Sequence, residues 1–376
     1  MKRVANLVFN PFVNDSRVLK ESLSLAKSGY EVEVIAHLDR GLQGEELYEG
    51  FLIKRFGYLD RKVTQSKLKK LKAYFSYAQK SVSYAKSFDI IHCNDLNTLP
   101  IGYIIKKFYN KNAKIVYDAH EYETQTNGLA GLQKKLTIFL EKTLIKHADA
   151  VICVSDSIAN EYVRLYKIKK PELILNTPIY QEVKKENLLR EELNIAKEKR
   201  IFLYQGALSK GRGIETLLEA FETLKDKNSI IVFMGYGTLE ERIKQASKEH
   251  SNIFYHKAVS PEIVLHYTSS ADYGVSMIED SCLSYRYCLP NKLFEYAMAN
   301  LPVIVSNLPE MRKVVEENKI GVVAQESSID GITKAIEEIV QLEYKELQSN
   351  LKRVQEEYNW QEQERVLLGL YGGLYE

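Results

Sequence analysis

Cysteine is scarce in this chain: Cys93, Cys153, Cys282 and Cys288 are the only four among 376 residues. They are too few and too scattered for a disulfide framework. None forms a Cys-x-x-Cys pair, so no structural zinc site is expected. Charge of one sign is lacking as well. The 52 Lys and Arg nearly balance the 50 Asp and Glu, and a net charge of +2 argues against a general nucleic-acid binder. No apolar run approaches the ~20 residues of a membrane span. No small-residue cleavage site follows the first strand-like stretch, so no signal peptide is expected. The expected compartment is the reducing cytoplasm.

What is present is ordinary globular composition, 45% hydrophobic and 27% charged. At this length a chain normally divides into two domains, since single cores stop growing near ~250–300 residues. Short apolar runs alternate with helical patterns from end to end. Val4–Phe9, Glu31–Ala36, Asp89–Cys93, Lys114–Tyr117 and Ala150–Val154 read as strands. Between them, Ser16–Ser28, Leu132–His147 and Asp156–Tyr166 read as helices. Pro178 to about Lys199 is polar and reads as a linker with some helix. The alternation then restarts at Ile201–Tyr204 and continues through Ile329–Leu342. This predicts an α/β chain with two parallel sheets, each covered on both faces. The domains are expected at 1–178 and 179–357. Ligands of such sheets bind outside the carboxyl ends of the strands.

Four clusters lie at such positions. Asn14-Asp15-Ser16-Arg17 joins the first strand to the first helix, where helix amides and Arg17 could hold an anion; the alternative is that Asp15 or Ser16 only caps the helix. Asp118-Ala119-His120-Glu121 follows a strand and is placed to meet a substrate. Gly206-Ala207-Leu208-Ser209-Lys210-Gly211-Arg212-Gly213 is a glycine-rich turn with two cations between a strand and a helix. Backbone amides, a helix N-terminus and cationic side chains suit a diphosphate. The fourth cluster, Pro290-Asn291-Lys292-Leu293-Phe294-Glu295, opens a helix. Lys292 can neutralise phosphate and Glu295 can accept hydrogen bonds from a ribose, although an acid there could be only a dipole partner. Lys257 and Val259, in a loop expected after another strand, are candidates for main-chain contact with a base.

One further segment stands out. Arg61–Lys86 holds eight basic residues and no acid. Leu68, Leu71, Phe75, Ala78, Val82 and Ala85 fall at spacings of three and four, which predicts an amphipathic helix with a cationic flank. Its stripe suits either the domain's own sheet or an anionic membrane surface.

Taken together, these motifs resemble family 4 of the retaining glycosyltransferases, which adopt the GT-B fold of two Rossmann-like domains. The resemblance rests on Asn14 through Glu21, Asp118 through Glu121, Gly206 through Gly213, Leu289 through Ile304, and Tyr358-Asn359-Trp360 before a last helix. It implies a nucleotide-sugar donor held by the second domain, with Gly206, Ser209, Lys210, Gly211, Lys257, Val259, Asn291 and Leu293 among the contacts. Arg212 and Lys292 would meet the diphosphate, Glu295 the ribose and His120 the transferred sugar. Asn14, Asp15, Arg17 and Glu121 would line an acceptor or phosphate loop. The last helix, 360–376, would return to the first domain. The resemblance implies an acceptor held by the first domain; the basic segment adds the expectation of a glycan or lipid-linked glycan met at the inner face of a membrane.

Two residues depart from the family pattern. Tyr287 stands eight residues before Glu295, where many members carry an acid, and Ala207 stands where many carry arginine. No Asp-x-Asp occurs, so no cofactor and no obligatory metal are expected. Two other readings remain open, a sugar-nucleotide epimerase on the same fold and a catalytically degenerate partner subunit of another transferase.

Overall fold

The computed structural model describes residues 1–60 and 66–376. The chain forms two compact units, one of residues 1–174 with 363–376 and one of residues 175–362.

The first unit is built on an eight-stranded sheet. In chain order its strands are β1 (Arg3–Leu7), β2 (Glu31–Leu38), β3 (Glu45–Tyr48), β4 (Phe51–Tyr58), β5 (Ile90–Asn94), β6 (Lys114–Ala119), β7 (Ala150–Cys153) and β8 (Glu172–Leu173). Their spatial order is β3-β4-β2-β1-β5-β6-β7-β8, parallel except for the antiparallel β3–β4 pair. The chain runs from β1 one way to β2 and β4, then returns to β5 on the other side of β1. Such a reversal of strand order opens a crevice at the strands' carboxyl ends, here between β1 and β5. The register sets Asn6 beside His92 and Asn94 beside Asp118 at that edge.

The second unit has six parallel strands: β9 (Arg200–Ala207), β10 (Ser229–Tyr236), β11 (Ile253–Lys257), β12 (Tyr273–Ser276), β13 (Val303–Ser306) and β14 (Gly321–Ala324). Their order, β11-β10-β9-β12-β13-β14, reverses between β9 and β12. The glycine-rich turn follows β9, so it opens at that reversal. Gly213 is required there: its φ is +67° and a Cβ would lie 2.2 Å from the Met277 carbonyl oxygen. Residues such as Phe202, Leu203 and Ile231 are fully buried, as near-continuous apolar runs covered on both faces should be.

Three features go beyond the sequence reading. The antiparallel β3 was not anticipated, because Glu45 and Glu46 obscure its alternation; Glu49 and Gly50, both at positive φ, make its tight turn to β4. The segment 178–199, expected as a linker with some helix, has that helix at Leu188–Glu192 and is also packed on the second unit. Leu189 of the helix Leu188–Glu192 and Ile195 enter the second unit's core, and Arg190 pairs with Asp272 at 2.7 Å. The basic segment does form a helix, Lys67–Ala85, but its apolar stripe is divided. Val82 and Ala85 are packed, with Ala73, Tyr77 and Ser81 completing the inner face, while Leu68, Leu71 and Phe75 are exposed. The Tyr77 hydroxyl, donating to the Val8 and Ile35 carbonyls, fixes which face turns inward. Arg61 and Lys62 lie outside the described residues.

Candidate active site

In the first unit, Arg17 is not a surface cation. It is 3% exposed, and its Nε and Nη2 donate to Asp118 at 2.8 and 2.9 Å. Nη1 donates to the Ile174 carbonyl at 2.8 Å, and Nε lies 3.1 Å from Glu21. Its charge is thus committed internally, which corrects the expectation that it lines an anion loop. Asp15 is the helix cap, accepting from the Val18 amide at 3.1 Å, while Asn14 is exposed. Glu121 is exposed beside the cluster.

Asp118, Glu21 and His92 lie fully buried around Arg17. Burial would raise the Asp118 carboxyl, but Arg17 and His120 hold it well below the usual carboxylate range. Burial, then the charge of Asp118, pushes Glu21 up to about 8 against the opposing pull of Arg17. Burial lowers His92. The hydroxyl of Tyr371, in the returning C-terminal segment, lies 2.7 Å from His92 Nδ1. Burial also keeps Tyr371 protonated, and His92 Nε2 faces Glu21 at 3.6 Å and Asp118 at 3.8 Å.

His120 projects from the end of β6 onto this network. Its Nε2 lies 3.0 Å from Asn94 Oδ1 and 3.2 Å from Asp118 Oδ2. Asn94 cannot present its amide nitrogen instead, because Nδ2 already donates to Asn6 Oδ1 and the Leu7 carbonyl. Nδ1 faces the Asp95 carboxylate at 3.6 Å. With acceptors at both nitrogens the ring is an imidazolium. Burial alone would lower it, but Asp95 and Asp118 outweigh burial and raise it to about 10. Asp95 holds φ at +62°, a strained conformation for a non-glycine residue. Glu123, raised to about 11 by burial and by Asp95, shares a hydrogen bond with it. Sequence reasoning missed Glu21, His92, Asn94, Asp95 and Glu123; the polar run His92-Cys93-Asn94-Asp95 closing an apolar strand was the available signal.

In the second unit, Lys292 and Arg212 come to one place. Lys292 is 7% exposed, with Nζ 3.8 Å from the Tyr204 ring centroid. The Arg212 guanidinium lies 5.0 Å over the Tyr285 ring, and its buried Nε has no hydrogen-bond partner. Among the described residues neither forms an ion pair. Burial, then the charge of Arg212, lowers Lys292 to about 7. Gly206, at φ +115°, leaves the space beside Lys292 open: a Cβ there would stand 3.7 Å from Nζ.

Glu295 is held by Gln205 Nε2 at 2.5 Å and Asn291 Nδ2 at 3.2 Å. Thr268 fixes Gln205 in turn, donating to its Oε1 at 2.7 Å. Two unpaired cations and an oriented carboxylate at a strand-order reversal are equipped to bind a diphosphate and a diol.

Ser209 is half-buried and Lys210 exposed in the turn, and Gly211 is buried. Leu293 departs from its expected role: its side chain is fully buried in the core and its amide donates to the Pro290 carbonyl at 3.1 Å. Lys257 is the exposed last residue of β11 rather than a loop residue. Val259 packs against the core of its unit.

Two family models divide the chain between them: Glycosyltransferase Family 4 matches residues 17–176 and Glycosyl transferases group 1 matches residues 185–357. Each half of the chain thus matches a glycosyltransferase model, and the fold is that of the GT-B glycosyltransferases. A colanic acid biosynthesis glycosyl transferase, WcaI, of Escherichia coli (strain K12) is 25% identical over 153 residues. That match spans 36% of this chain and 37% of the relative.

Solved structures share the fold along its length. Sucrose-phosphate synthase of Thermosynechococcus elongatus superposes with a TM-score of 0.82 at 18% identity, covering 100% of this chain and 99% of the other. Anabaena HepE in complex with UDP-glucose gives 0.75 at 13%, covering 99% and 100%. WaaG, a glycosyltransferase involved in lipopolysaccharide biosynthesis, gives 0.66 at 13%, covering 98% and 100%.

Proposed function

We propose that this GT-B glycosyltransferase moves a sugar, with retention of anomeric configuration, from a nucleoside-diphosphate donor to a glycan or lipid-linked acceptor of a surface polysaccharide. The observation that carries this reading is the pair Lys292 and Arg212, two cations without acid partners beside a carboxylate oriented by Gln205 and Asn291. That HepE is described with UDP-glucose, and WcaI and WaaG with colanic acid and lipopolysaccharide synthesis, agrees with the donor and acceptor classes.

In this reading the chain works mainly by positioning and charge stabilisation. Lys292 and Arg212 bind the diphosphate and stabilise the charge that grows on it as the glycosidic bond breaks. Glu295 accepts from the ribose hydroxyls. His120, held as an imidazolium, does not serve as a base. The departing diphosphate oxygen takes the acceptor proton. No obligatory metal is required, since the two cations supply the counter-charge.

The test is to incubate the protein with a panel of sugar nucleotides and sugar acceptors and follow the product anomer by NMR, with and without a chelator. A retained anomer formed in the chelator supports the reading. An inverted product, or activity lost to the chelator and restored by manganese, contradicts it.

A further inference from the structure

The outward faces of three consecutive helical segments in the first unit are unlike the rest of the molecule. Among the described residues, ten of the twenty-one exposed large apolar side chains lie on them. The segments are Lys67–Ala85, Leu99–Ile104 with its π-helical continuation Ile105–Tyr109, and Gly131–Leu144; the first packs on the second and the second on the third.

The Gly131–Leu144 helix is the clearest case. Leu132, Leu136, Phe139 and Leu140 are 72, 59, 69 and 40% exposed. Their spacing of four, three and one puts them on one side of the helix. Lys135 and Lys142, with Lys146 just beyond the helix end, are exposed along one flank of that row. The helix has one acid, Glu141, which is fully buried and accepts from the Tyr117, Tyr162 and Tyr166 hydroxyls. That inward anchor fixes the opposite, apolar and cationic, side toward solvent.

The neighbouring segments repeat the pattern. Phe108 and Tyr109 are 67 and 59% exposed beside the exposed Lys107. On the first helix, Leu68, Leu71 and Phe75 are exposed among Lys67, Lys69, Lys70 and Lys72. No acid occurs at all in residues 96–117 or 61–88. Lys106 and Lys114 are neutralised by Asp149, at 2.5 and 3.6 Å, but the other lysines named here have no acid partner among the described residues.

We propose that this three-helix face is a docking surface for the interfacial region of a bilayer carrying anionic headgroups, with the Gly131–Leu144 ridge as the inserted element. Apolar side chains between lysines match a surface that is apolar below and anionic above. A second copy of the same face would bring like charges together, and a nucleic-acid backbone would leave the ridge unburied. No helix among the described residues is long and apolar enough to cross a membrane, so attachment is peripheral and its electrostatic part falls with salt over ~8–10 Å of screening. The inference does not depend on the transfer reaction, and its test involves no turnover.

The full chain is co-sedimented with phosphatidylcholine vesicles and with vesicles that also contain phosphatidylglycerol, at low and high salt. The parent should bind only the anionic vesicles, and less at high salt. Leu136→Ser with Phe139→Ser, and separately Lys135, Lys142 and Lys146→Gln, should each weaken binding by at least about tenfold. All five residues are exposed, and an unchanged melting temperature would establish that the variants fold. Equal binding of parent and variants, equal binding to both vesicle types, or a concentration-dependent dimer dissolved by Phe139→Ser would overturn the proposal.

Discussion

Lys292 Nζ lies 3.8 Å from the centroid of the Tyr204 ring, and no carboxylate pairs with it among the described residues. The ammonium is buried against an aromatic face, and burial, then the charge of Arg212, lowers it to about 7. A bound diphosphate reverses the balance, because an anion beside a lysine favours its charged form.

Donor binding should accordingly take up a proton. Between about pH 7 and the pKa of the complex, the free protein has lost the Lys292 proton and the complex keeps it, so nucleotide affinity falls as pH rises. Titration calorimetry with UDP at pH 8, in two buffers of different ionisation heat, should show uptake approaching one proton. Lys292→Arg should show none, since guanidinium stays charged. Equal uptake in both proteins would place the proton elsewhere.

His120 should remain an imidazolium well past neutrality. Its folded value, about 10, lies above the ordinary 6.5. Its contribution to stability is therefore fully present below 6.5 and is lost as pH rises through about 10. Side-chain NMR of the histidine ring should show no titration near 6.5, and Asp95→Asn should shift its midpoint downward. A midpoint near 6.5 in the parent would refute the two-carboxylate clamp.

Gly213→Ala should destabilise the second unit by more than about 1 kcal/mol, since alanine resists positive φ, and its Cβ would stand 2.2 Å from the Met277 carbonyl oxygen. Chemical denaturation measures this directly. Gly369→Ala, on a helix with nothing within 4 Å of the added carbon, is the matched control and should not destabilise. Equal effects of the two would remove the steric account of the turn.

Much of the fold was legible because parallel strands buried on both faces print as apolar runs between helical periods. The runs at Tyr273–Ser276, Val303–Ser306 and Gly321–Ala324 coincide with β12, β13 and β14. The cation pair was legible because Arg212 lies in the turn between β9 and a helix and Lys292 in the first turn of another helix. What could not be read depends on contacts between distant segments. Arg17 looks like a free cation until Asp118, one hundred and one residues away, is folded against it. His92 looks like a strand residue until Tyr371 reaches it. The apolar stripe of the helix Lys67–Ala85 could not be divided by periodicity, since whether its first two turns have a partner is a tertiary fact. Asp95 escaped notice because its strained φ leaves no mark in residue type.

The most direct test of the account is binding of nucleoside diphosphates, UDP and GDP, to the parent, Arg212→Ala and Lys292→Ala by calorimetry at pH 6.5, where Lys292 is largely charged. The account predicts that at least one nucleotide binds the parent and that each substitution weakens it by at least about tenfold, a loss of ~1.4 kcal/mol. A parent that binds neither nucleotide, or variants that bind as the parent does, would contradict it.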